Sequence, residues 1–148
     1  MFHGKLERVL EDLFVPTVGE VMSSPVVTIR PTASVMEAVE VMAERHVGSL
    51  VVVIDSEPKG IFTEHDLMNR VLKNGLPPAE TKVGTVMSAP LVILRTSDSI
   101  TRAIERMREE KINHLVAFKR EQLVGILTMT DIRLRFRRGY WSPRLLIQ

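Results

Sequence analysis

The chain has 148 residues, 45% of them hydrophobic and 26% charged, which is the globular range and enough to bury a core. It has no cysteine, which excludes a disulfide framework and any thiolate metal site. No apolar run approaches the ~20 residues that span a bilayer, and the first residues (MFHGKLERVLEDLF) are charged where a signal peptide would be apolar. A cytoplasmic location without a membrane contact is therefore expected. The net charge of +2 is unevenly spread. Asp131 is the last acidic residue, and Arg133, Arg135, Arg137, Arg138 and Arg144 follow it, so the remainder of the chain is net negative.

An N-terminal helix is expected within residues 1–16, with Leu6, Val9, Leu10 and Leu13 on one face. From there the chain repeats itself. Val18-Gly19-Glu20-Val21-Met22-Ser23-Ser24-Pro25 matches Val83-Gly84-Thr85-Val86-Met87-Ser88-Ala89-Pro90. The same spacing carries Ala38 to Ala103, Met42 to Met107, Gly60 to Gly125, Thr63 to Thr128 and Asp66 to Asp131. Roughly 19 of the 50 positions from Val18 to Leu67 recur without an insertion, which is the signature of a repeat architecture.

Each copy reads in the same order. A turn of helix at Val18–Met22 stops at a proline, because the residue before proline avoids the α region. Short extended runs follow, Val26–Ile29 and Leu91–Leu94. Val35, Ala38, Val39 and Met42 recur at helical spacing, with Glu37, Glu40 and Glu44 on the other side, and Ile100, Ala103, Ile104 and Met107 match them. Two strands rich in β-branched residues are predicted at Leu50–Ile54 and Lys59–Thr63, separated by the turn-like Asp55-Ser56-Glu57-Pro58. A helix from about Glu64 to Lys73 closes the unit. The order is β-α-β-β-α, an α/β class. One such unit is marginal alone, so the two are expected to pack sheet to sheet with pseudo-twofold symmetry. The organisation is an N-terminal helix (1–16), a first unit (17–73), a Gly- and Pro-rich linker (74–82), a second unit (83–137) and a basic tail (138–148).

The most informative residues are Gly60-Ile61-Phe62-Thr63-Glu64-His65-Asp66 and Gly125-Ile126-Leu127-Thr128-Met129-Thr130-Asp131, where a strand runs directly into a helix. Threonine followed three residues later by aspartate resembles a capping box, which closes free N–H groups at a helix start. The same junction also suits an anion, because unpaired N–H groups and the positive end of the helix dipole meet there. A carboxylate at the third helical position accepts hydrogen bonds from two vicinal hydroxyls, as a ribose presents them. Both readings stand at this point. The four histidines show no metal-ligand spacing, and there is no nucleophile elbow, Walker loop or dinucleotide fingerprint. Catalysis is not expected. Met22, Met42, Met87 and Met107 read as core.

The tandem repeat, the unit order, the opening Val-Met-Ser-x-Pro and the Gly-Ile-Phe-Thr-Glu-His-Asp-Leu run together resemble a CBS domain pair, or Bateman module, over about residues 17–137. The resemblance implies two clefts related by pseudo-twofold symmetry that bind adenosine ligands, foremost AMP, ADP or ATP, with S-adenosylmethionine or NAD(H) as alternatives. Carried over by position, one cleft uses Ile126, Thr128, Thr130 and Asp131 with Val27 and Gly48. Asp131 holds the ribose, Thr128 and Thr130 the ribose or phosphate, and Val27 and Ile126 the base. The other uses Ile61, Thr63, His65 and Asp66 with Val92, Asn113 and His114. His65 stands where many relatives carry arginine, which implies a weaker phosphate contact. A homodimer acting on a regulated partner is implied as well. Two further readings are open: nucleic-acid binding through the basic tail, with Tyr140 and Trp141 stacking on bases, and a ligand-free dimerisation scaffold.

Overall fold

Thr17 accepts a hydrogen bond from the Glu20 N–H at 3.3 Å and starts α1 (Val18–Val21). The computed structural model describes residues 4–6 and 15–136 in full, and Arg137 in its backbone. Of the N-terminal stripe, Leu6 is exposed, whereas Val9, Leu10 and Leu13 lie outside the described residues. So do the Arg137 side chain and Arg138, Tyr140, Trp141 and Arg144 of the tail. After α1 the Ser24–Pro25 peptide is cis, and β1 is only Thr28–Ile29.

Ser34 opens α2 (Val35–Arg45) with a complete capping box: its hydroxyl accepts from the Glu37 N–H at 3.0 Å, and the Glu37 carboxylate accepts from the Ser34 N–H at 2.8 Å. Such a cap is worth about 1 kcal/mol. The helix ends at His46 in the left-handed conformation. Its buried face is Val35, Ala38 and Met42, with Val39 packed against it, as the spacing predicts.

β2 (Ser49–Ile54) runs antiparallel to β3 (Glu57–Thr63) and parallel to β1. The turn between β2 and β3 is shorter than the sequence suggests: Asp55 and Ser56, both at positive φ, suffice. Two such residues match the right-handed twist of the strands. Glu57 and Pro58 are consequently strand residues, beside a register shift between Val52 and Val53. α3 (Glu64–Asp66) continues without a break into a π-helical stretch, Leu67–Leu72, where the Lys73 N–H reaches the Met68 carbonyl at 2.9 Å.

The second copy follows the same plan. α4 (Val83–Val86) precedes a cis Ala89–Pro90 bond, then come β4 (Ile93–Arg95), α5 (Ile100–Glu110), β5 (His114–Lys119), β6 (Gln122–Thr128) and α6 (Met129–Arg137). The second sheet has the order β4-β5-β6, as the first has β1-β2-β3. Its hairpin turns at Arg120 and Glu121, again at positive φ. Positive φ costs a residue with a Cβ roughly 1 kcal/mol or more, so Glu121→Gly is expected to raise stability by about 1 kcal/mol. Urea unfolding of the variant checks this.

Packing does not follow the repeat boundaries. One compact unit is residues 26–91, and the other joins the described residues up to Pro25 to those from Val92 onward. Each leading segment has therefore left its own copy. Val18 of α1 is buried with Ile100, Leu115, Leu127 and Ile132 of the second copy, and Val83 and Val86 of α4 are buried with Val35, Leu50 and Phe62 of the first. The leading segments also extend the sheets. Ser23 exchanges two backbone hydrogen bonds with Ile126 (2.8 and 3.0 Å), and Ser88 does the same with Ile61 (2.8 and 2.9 Å).

The linker is fastened within the first-copy unit. The N–H groups of Val35 and Met36 at the start of α2 donate to the carbonyls of Thr81 (2.8 Å) and Pro78 (3.0 Å). Those are two of the free donors that every helix start leaves.

Candidate functional site

Both junctions are built by the same local chemistry. In the first copy the Asp66 carboxylate accepts from the Thr63 N–H at 3.0 Å while the Thr63 hydroxyl accepts from the Asp66 N–H at 3.2 Å. In the second the corresponding distances are 3.0 Å (Thr128 N–H to Asp131) and 3.1 Å (Asp131 N–H to Thr128). The capping reading of the motif is correct in both copies. It also reduces what the junction offers an anion, because the first helical N–H is taken too: Glu64 donates to the Gly48 carbonyl at 3.1 Å and Met129 to the Asn113 carbonyl at 2.8 Å. The His65 and Thr130 N–H groups are the remaining donors of the first turn.

Beyond the shared cap the two junctions differ in how much capacity is left. Asp66 is 1% exposed. Its Oδ2 also accepts from the Thr63 hydroxyl at 3.1 Å, its Oδ1 accepts from the Ser88 hydroxyl at 2.8 Å, and the Arg70 Nε lies 3.5 Å from the same oxygen. Arg70 in turn donates to the Met87 carbonyl at 2.7 Å, at the end of α4. Every side-chain oxygen of Thr63 and Asp66 is thus engaged within the first-copy unit.

Asp131 is half-buried, and among the described residues its Oδ1 accepts a single longer bond, from the Ser23 hydroxyl at 3.2 Å. Among the described residues, Arg135, one helical turn on, makes no ion pair with it, and Thr130 is exposed with no side-chain hydrogen bond. The second-copy junction therefore presents a carboxylate oxygen and threonine hydroxyls with bonding capacity to spare. Such a set can hold a vicinal diol; a saturated, buried carboxylate cannot without first breaking its own bonds.

The remaining sequence-predicted residues sort by unit. With Asp66 in the first-copy unit lie Ile61, buried in β3, the exposed His65, and Val27 and Gly48 beside the β2 edge and start. The Val27 carbonyl accepts from the Val51 N–H at 3.0 Å. The Glu64 side chain lies over Gly48, its carboxyl carbon 3.4 Å from where a Cβ would stand, an ordinary van der Waals contact. With Asp131 lie Ile126, Thr128, Thr130, Val92, Asn113 and His114. His114 opens β5 opposite Thr128, and the Val92 carbonyl accepts from the Val116 N–H at 3.0 Å.

Sequence reasoning missed Ser23, Ser88 and Arg70, which decide the state of the two carboxylates. The recurrence of serine after each Val-Met pair was the available signal. Among the described residues no group of histidine and carboxylate side chains is placed to hold a metal ion, and no helix is long and apolar enough to cross a membrane.

Comparison with known proteins agrees with the repeat. The family model described as CBS domain matches twice, at residues 18–73 and 83–138. An uncharacterized protein of Methanopyrus kandleri is 35% identical over 118 residues, 78% of this chain and 60% of its own length. The CBS domain-containing protein YhcV of Bacillus subtilis is 30% identical over 116 residues, covering 78% of this chain and 82% of YhcV. Among solved structures, an uncharacterized conserved protein from Pyrococcus horikoshii superposes with a TM-score of 0.76 at 29% identity, over 87% of this chain and 98% of that one. A hexameric CBS-CP12 protein from bloom-forming cyanobacteria gives a TM-score of 0.79 at 28% identity, over 90% of this chain and 79% of that one. The chain spans well under two thirds of several curated relatives, down to 13% of the meiotically up-regulated gene 70 protein of Schizosaccharomyces pombe.

Proposed function

The chain belongs to the CBS domain family, as a tandem pair, and from that premise we propose that it is a regulatory module that binds an adenine nucleotide and passes its occupancy to a partner protein or to its own oligomer. AMP, ADP and ATP are the first candidates, and S-adenosylmethionine and NAD(H) share the same adenosine diol. The observation that carries the reading is the unspent capacity of Asp131, Thr128 and Thr130 at a strand-to-helix junction. The ribose diol is assigned to Asp131, and the first-copy junction, with Asp66 consumed by its own fold, is assigned a weaker role.

The assembly reading rests on relatives. A similar CBS-containing chain is hexameric, which supports self-association here; a homodimer is the simplest form. A module of this kind acts through a difference in ligand affinity between two states of its assembly.

Thermal unfolding with each adenosine compound tests the proposal. Ligand at about 100 times its Kd adds roughly 2.7 kcal/mol to the folded state, a rise in Tm of about 5–10 °C for a chain of this size. Five unchanged melting curves, for AMP, ADP, ATP, S-adenosylmethionine and NADH, would remove the ligand from the proposal and leave a dimerisation scaffold.

A further inference from the structure

Among the described residues the Ser23 hydroxyl is the one side chain that bonds Oδ1 of Asp131, and it comes from the first copy's leading segment. Asp131 Oδ2 is set by the Thr128 N–H at 3.0 Å; Oδ1 is set by Ser23 at 3.2 Å. A carboxylate held at both oxygens has a defined rotation about its terminal bond, whereas one held at Oδ2 alone is less constrained, since that torsion is intrinsically broad. Ser23 is itself held firmly, by two backbone hydrogen bonds to Ile126 and by the neighbouring Met22, whose Cγ lies 2.9 Å from where a Gly125 Cβ would stand. The serine donates one proton to Oδ1 and leaves lone pairs there, so it orients the acceptor without consuming it.

We propose that Ser23 is a positioning residue for ligand binding: it presents the Asp131 carboxylate to the ribose diol, and so makes the leading segment of the first copy part of the second copy's site. This rests on the assignment of the diol to Asp131. Its counterpart Ser88 serves a different end. Ser88 closes a carboxylate that is already buried and paired with Arg70, so it contributes to stability and not to ligand affinity.

Calorimetric titration of the full chain with AMP and with 2′-deoxy-AMP, beside thermal unfolding, separates these roles. Ser23→Ala is expected to weaken AMP binding roughly fivefold to tenfold, less than the loss of a direct hydrogen bond to a charged group, because Ser23 acts through Asp131. The loss for 2′-deoxy-AMP is expected to be smaller, and Ser23→Thr is expected to recover most of the AMP affinity. Ser23 is exposed, so its alanine variant should melt close to the parent. Ser88→Ala is expected to lower Tm by several degrees and to leave AMP affinity within about twofold. Three outcomes overturn the inference: parent-like AMP affinity in Ser23→Ala, equal losses for both ligands, or an equal affinity loss in Ser88→Ala. If the parent chain binds neither ligand, the diol assignment itself fails and the inference falls with it.

Discussion

Asp131→Ala is expected to weaken adenine-nucleotide binding by roughly 10- to 100-fold, the worth of one or two hydrogen bonds to a charged acceptor. It should cost the fold only about 1 kcal/mol, because the aspartate is a half-exposed helix cap and its loss leaves few groups without water. Asp66→Ala is expected to do the reverse. It removes the acceptor of the Thr63 N–H, the Thr63 hydroxyl and the Ser88 hydroxyl at a site that is 1% exposed. Leaving such donors unpaired costs roughly 2–4 kcal/mol, whereas the ion pair to the half-exposed Arg70 adds little. Urea unfolding and calorimetry on both variants give the two columns of this comparison. Equal affinity losses with equal stabilities would show that the junctions are equivalent, contrary to their hydrogen bonding.

The second large effect is steric. Gly60 lies in β3 under the second copy's leading segment, and a Cβ there would stand 2.6 Å from the Met87 sulfur and 2.9 Å from the Ser88 carbonyl oxygen. The sulfur is the far part of a flexible side chain and can move aside. The carbonyl cannot, because Ser88 is locked to Ile61 by two backbone hydrogen bonds. Gly60→Ala is therefore expected to cost about 2 kcal/mol and to lower Tm by roughly 4–8 °C. Gly4, with nothing within 4 Å of a Cβ, is the control. A Gly60→Ala chain as stable as Gly4→Ala would mean that the leading segment does not sit on β3 in solution.

These two cases show which parts of the fold were legible in the sequence. The helices α2 and α5 were, because their buried residues fall at a helical spacing. The strands were, since apolar runs recur at matching places in both copies, with Gly60 and Gly125 in the last strand of each. The turn at Asp55-Ser56 was read too long, because Pro58 looks like a turn residue and in fact occupies a strand beside a register shift. The exchange of leading segments was not legible. Local periodicity gives an element and its buried face, but Val18 and Val83 carry no mark of which sheet they will cover. The glycines held the clue: Gly60 and Gly125 stand where the Met87 and Met22 side chains of the incoming segments cross, and the sequence alone reads both only as strand glycines.

The site was legible to the same depth. Threonine and aspartate three residues apart at a strand end give the capping box from sequence, and the structure has it twice. What separates the two copies is set by residues far away in the chain, Ser88 with Arg70 on one side and Ser23 alone on the other. The difference seen from sequence, His65 against Thr130, points the same way, because Thr130 adds an exposed hydroxyl on the side where the carboxylate is available. The inequality of the junctions thus has two independent sources.

Calorimetric titration of the full chain with AMP, ADP and ATP in turn tests the central claim most directly. The expected isotherm for the best of the three is dominated by one site per chain, lost in Asp131→Ala and retained in a folded fraction of Asp66→Ala. Two equal sites per chain, or an isotherm that Asp131→Ala leaves unchanged, would contradict it.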